Sequence, residues 1–178
     1  NGAWLSCLVL KTASLRFRLA VGAVVGMALL AWIGFLSALA FGLNKFSIGL
    51  TTTILAAGLA ALIGKIPFRE FRAGLNKELL GRFGVIYYVA WAGLLVWLFS
   101  RVVMFYPDGL HTAPANNFGD LPFHFGVITS MAYGENLPPQ NPIFAGMKFT
   151  YPFLVDFLTA FFIRCGADWR AAFFVGNI

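Results

Sequence analysis

At 178 residues, 60% of them apolar and only 11% charged, with a mean hydropathy of +0.79, the chain lies far from the composition of a water-soluble domain. Its net charge of +6 is carried by connectors between apolar runs, so it is not the footprint of a nucleic-acid binder. The two cysteines, Cys7 and Cys165, lack metal-site spacing, and nothing in their placement supports a disulfide.

Taken in order, the runs predict an all-α fold, a polytopic helical membrane protein with an external loop that carries a juxtamembrane helix. Residues 3–10 are apolar but too short to cross a bilayer, which takes about 20 residues. Residues 19–43 form the first predicted span, with Gly22 and Gly26 spaced for close helix packing. Asn44-Lys45 is a tight turn, and 47–64 is the second span, in which Thr51, Thr52 and Thr53 can bond back to the helix backbone. Residues 65–82 are a basic connector with room for a short interfacial helix. The third span is read at 84–105, studded with Tyr87, Tyr88, Trp91 and Trp97 as lipid-facing or interfacial anchors. A loop at 106–150 follows, then a fourth span at 151–163, a turn at 164–170 and the start of a fifth. The organisation is therefore 1–105, 106–150 and 151–178. Because the chain starts and stops within apolar runs, it is expected to be the N-terminal part of a longer protein.

Charge predicts the orientation. With 65–82 in the cytoplasm, the segment before the first span and the 164–170 turn fall on the same side, which then holds ten of the thirteen basic residues. Lys45, Arg101 and Lys148 remain outside, with the 106–150 loop.

That loop carries the chemistry. Gly119-Asp120-Leu121-Pro122 reads as a helix start, with Asp120 able to cap free amides and Pro122 in the first turn. Asp120 and His124 then lie on one face beside an apolar stripe of Phe123, Val127, Ile128 and Met131, and Gly134 ends the helix. Asp120 is equally readable as a cap or as a catalytic group, and His124 as a structural or a functional histidine. Asp108-Gly109 is a turn. Asp156 stands inside an apolar helix, where a carboxylate is costly and tends to face a wet cavity. Arg101, near the outer end of its helix, snorkels or binds an anion.

The loop and the helix after it resemble the GT-C class of polytopic lipid-linked glycosyltransferases, such as protein O-mannosyltransferases and aminoarabinose transferases. The likeness is carried by Gly119-Asp120-Leu121-Pro122-Phe123-His124-Phe125, by Thr150-Tyr151-Pro152-Phe153-Leu154-Val155-Asp156-Phe157-Leu158, and by Phe162 through Arg170 with Gly166 and Trp169. It covers roughly residues 105–178. The chain departs from the pattern in having a single Asp, a single Pro and extra spans before the loop. The resemblance implies a multi-pass protein of the plasma (inner) membrane and transfer of a sugar from a polyprenyl-phosphate donor to an acceptor hydroxyl, with inversion. Asp120 and His124 would be catalytic, and Arg101, Lys148, Tyr151 and Asp156 would contact substrate. The expected partners are membrane lipid and the lipid-linked sugar, with no nucleic acid. No cofactor is identified and no metal ligands are assigned; members of the class differ in their use of a divalent metal, which leaves that ion open. The alternatives are a transporter or flippase with Asp156 and Arg101 lining its path, and a scaffold whose loop binds a partner.

Overall fold

A computed structural model of the protein describes residues 1–63, 65, 82–112, 117–144 and 146–177. The interior of the basic connector expected at 65–82 lies outside the described residues. The elements are α1 (Gly2–Val9), α2 (Leu15–Phe41), α3 (Lys45–Ile63), α4 (Arg82–Phe99), β1 (Met104–Tyr106), β2 (Gly109–His111), α5 (Asn117–Tyr133), α6 (Leu154–Arg164) and α7 (Trp169–Asn177). The fold is overwhelmingly helical. Among the described residues the expected all-α class is corrected only by the β1–β2 hairpin and an isolated bridge between Gln140 and Lys148.

Among the described residues two helices are long and apolar enough to cross a membrane, α2 with 27 residues and α3 with 19. At 1.5 Å per residue they rise about 40 and 28 Å, against a hydrocarbon core of about 30 Å. The third expected span is shorter than read: α4 stops at Phe99, and the chain turns into the hairpin instead of continuing to residue 105. Pro107-Asp108 forms the two-residue hairpin loop, and Gly109, at φ +137°, supplies a backbone conformation that other residues rarely adopt. The fourth expected span is corrected as well. α6 has 11 residues and rises about 16 Å, roughly half a bilayer core.

The chain divides into two compact units. The first comprises residues 1–30 and 51–93. In it α1 lies against the glycine face of α2: a methyl group built on Gly2 or Gly22 would fall within 3 Å of the opposing backbone. Gly22 and Gly26 therefore serve a contact within the chain. Ser6 Oγ seals it by donating to the Arg18 carbonyl. In α4 the side chains of Tyr87, Tyr88, Trp91 and Trp97 are exposed, as lipid-facing aromatics would be.

The second unit comprises residues 31–50 and 94–178. The end of α2 is punctuated by Gly42, at φ +76°, whose N–H reaches the Ala38 carbonyl. Asn44 then starts α3. Its Oδ1 accepts from the amides of Phe46 and Ser47 at 2.9 and 3.1 Å, and Ser47 Oγ accepts in return from the Asn44 amide. The core of the unit is the apolar stripe of α5 (Val127, Ile128, Met131, Ala132) set against Phe157, Leu158, Ala160, Phe161 and Ile163 of α6. Each large side chain so buried contributes about 1.5–3 kcal/mol. Phe35 of α2 packs on Phe153 and Phe157, with ring centroids 5.1 and 5.4 Å apart. The absent side chain of Gly34 leaves the room that the Phe161 ring fills.

One consequence corrects the expected sidedness. Arg164, at the end of α6, donates from Nε to the carbonyl of Leu43 at 3.1 Å. The 164–170 turn thus starts beside the α2–α3 turn, two segments that the expected orientation puts on opposite sides.

Candidate functional site

The site is built where α5 and α6 run side by side. α5 starts at Asn117, so Asp120 sits inside its first turn and Pro122 inside the helix, which corrects the reading of Asp120 as the cap. Pro122 removes one intrahelical bond, a loss tolerated so near the start of a helix. The other end is as read. Gly134 closes α5 with its amide on the Ser130 carbonyl, and a methyl group on Gly134 would meet that carbonyl at 2.8 Å.

One turn after Asp120, His124 points at α6. Its Nδ1 lies 2.9 Å from both Oδ1 and Oδ2 of Asp156. The Asp156 side chain is 7% exposed and that of His124 is 30% exposed, so the pair has a buried carboxylate and an imidazole that reaches the surface. A carboxylate only accepts, so with Asp156 ionised Nδ1 carries the proton and Nε2 is left as an acceptor. Burial pushes the Asp156 carboxyl above its ordinary range, while the hydrogen bond and charge of His124 pull it back. Thr159, three residues on, bonds the Val155 carbonyl at 3.2 Å and has a structural role.

Aromatic rings frame the imidazole. Tyr151 stands 5.7 Å from it and 5.3 Å from Phe123, centroid to centroid, and Phe149 packs on both Phe123 and Tyr151. These residues arrive on the return from α5 to α6, where Asn136 ties the chain down. Its side chain exchanges hydrogen bonds with the Gln140 backbone at 2.8 and 2.9 Å.

Of the residues expected in the site, the structure brings together His124, Asp156 and Tyr151, with Asp120 exposed one turn away on α5. The partnership within that set is corrected. No hydrogen bond joins Asp120 to His124 among the described residues; the imidazole is held across the helix interface by Asp156. Arg101 is not brought in. Its guanidinium lies over the ring of Trp97, 4.8 Å from the centroid. Lys148 is exposed on the Gln140–Lys148 bridge, one residue before Phe149. The other histidine, His111, pairs with Asp108 at 3.2 Å within the hairpin. No group of three or more His, Cys, Asp or Glu able to hold a metal ion occurs among the described residues. The His124–Asp156 partnership joins residues 32 apart, and the one local signal for it was the unpaired carboxylate in an apolar run, which needs a partner.

Chemically, a buried carboxylate on Nδ1 leaves Nε2 as the remaining ring nitrogen, which is the arrangement that a general base with an orienting group requires. No known protein family, curated protein or solved structure matches the chain.

Proposed function

We propose that this chain is a membrane glycosyltransferase of the GT-C type, in which His124, oriented by Asp156, removes the proton of an acceptor hydroxyl. The observation that carries the reading is the 2.9 Å contact of His124 Nδ1 with the buried Asp156. In this reading α2, α3 and α4 cross the membrane, and α5, α6 and α7 form a cluster at its extracytoplasmic face. The acceptor oxygen attacks the anomeric carbon of a polyprenyl-phosphate sugar. The carbon–oxygen bond to phosphate breaks, polyprenyl phosphate leaves with the electron pair, and the acceptor proton passes to His124 Nε2. Asp120, exposed a turn earlier on α5, accepts a hydrogen bond from the acceptor and orients it. Lys148, one residue before Phe149, meets the departing phosphate in this reading. Arg101, lying on Trp97, has the role of a membrane-boundary anchor. A transport path lined by both Asp156 and Arg101 gains no support, since Asp156 is engaged by His124 and Arg101 by Trp97.

The test is sugar transfer from a panel of polyprenyl-phosphate sugars by the membrane-embedded protein. His124→Ala is expected to lower turnover by about 10²–10⁴, the usual contribution of general-base catalysis. Asp120→Asn is expected to cost less. A larger loss in Asp120→Asn than in His124→Ala would make Asp120 the base, and no transfer with any donor would remove the assignment.

A further inference from the structure

A cavity of about 280 Å³ in the second unit plays no part in the chemistry above. It opens where the end of α2, the α2–α3 turn and the ends of α5 and α6 meet, and Asn44, Tyr133, Glu135 and Arg164 are among the residues that line it. Arg164 uses Nε on the Leu43 carbonyl, and both it and Glu135 are exposed residues at the rim of the cavity. Its two Nη groups have no hydrogen-bond partner among the described residues. Glu135 stands in the same cavity with a backbone φ of 52°, a left-handed conformation uncommon for a residue with a side chain and enriched at functional positions. No ion pair joins Glu135 to Arg164 or to any other described residue. Two opposite charges held in one small cavity without meeting are complementary to a ligand that carries both signs in the reverse order.

The position of the cavity narrows the chemistry. It lies at the turn between α2 and α3, the two helices of membrane-crossing length, which is the level of lipid head groups. Its volume is just below the roughly 300–1,000 Å³ of drug-sized sites, room for a head group but not for an acyl chain. A guanidinium fork matches phosphate oxygens, and a carboxylate takes N–H hydrogen bonds from a primary ammonium.

We propose that this cavity binds an ethanolamine-phosphate group, with its phosphate on Arg164 and its ammonium on Glu135. The group comes either from a free phosphate ester or from the head of a phospholipid. The assignment rests on α2 and α3 ending at a membrane surface and is independent of sugar transfer.

The experiment titrates the purified full chain in detergent with O-phosphoethanolamine and, separately, with inorganic phosphate. O-phosphoethanolamine is expected to bind at least about tenfold more tightly, the gain of one charge-assisted contact. Glu135→Gly is expected to erase that preference while keeping the melting temperature, because glycine suits φ of 52° and relieves the backbone. Arg164→Gln is expected to abolish binding of both probes; where that variant fails to fold, Glu135→Gly carries the test by itself. Native mass spectrometry from nanodiscs of phosphatidylethanolamine or phosphatidylglycerol separates the sources. Retention of phosphatidylethanolamine, displaced by O-phosphoethanolamine, assigns the head group, and binding of the soluble compound with no retained lipid assigns a free ester. Equal affinity for the two soluble probes, unchanged preference in Glu135→Gly, or no binding of either probe overturns the proposal.

Discussion

Asp156 is a carboxylate placed where burial opposes its charge and one imidazole offsets that cost. Its native carboxyl is shifted above the ordinary value of 3.8, so the folded state takes up a proton at higher pH than the unfolded chain does. The sign follows. Stability increases as pH falls through the window just above 3.8 and decreases as pH rises through the shifted native value. His124→Ala removes the hydrogen bond and the charge that lower the shift, leaving desolvation alone. That variant is expected to lose about 3–5 kcal/mol at neutral pH, the usual cost of stranding one member of a buried pair, and to recover part of it in acid. Unfolding in detergent between pH 4 and 7 checks this, with the wild type as reference. A variant whose deficit is the same at every pH would show that the carboxylate is not stranded.

Among the elements, the α2–α3 turn gives the cleanest case of sequence dictating geometry. Gly42 stops one helix and Asn44 caps the next, with Ser47 reciprocating. Asn44→Ala is expected to cost about 0.5–2 kcal/mol and Asn44→Ser much less, read as a shift in melting temperature. Signals of this kind, local and backed by one mechanism, were legible without a structure: the first two apolar helices, the stripe on α5, the Gly134 stop and the Asp108-Gly109 turn. What escaped was anything set by distant partners. α4 was read six residues too long, because Arg101-Val102-Val103-Met104-Phe105 is as apolar in pattern as the helix before it, and only strand pairing with Gly109–His111 diverts it. Asp120 was matched to His124 by helical spacing, but the imidazole is turned to the neighbouring helix, where a buried carboxylate has the stronger claim on it. A composition-based reading saw in 151–163 a spanning helix; its burial is against α5 and Phe35.

For the whole molecule, the Arg164–Leu43 contact is at odds with the expected orientation, which sets the 164–170 turn apart from Lys45. Cys165 is exposed and Cys7 buried, so the native chain carries its own reporter. An impermeant maleimide is expected to label Cys165 in intact cells from the same side as a cysteine placed at position 45 or 137. Labelling of Cys165 from the opposite side would contradict the Arg164–Leu43 contact. In the proposed sugar transfer Asp156 acts through His124. Transfer by the wild type, His124→Ala, Asp156→Asn and the double variant measures that coupling directly. Asp156→Asn is expected to lower transfer in the wild type yet to cost almost nothing further once His124 is gone, as for groups that act as a unit. Losses that simply multiply in the double variant would contradict it.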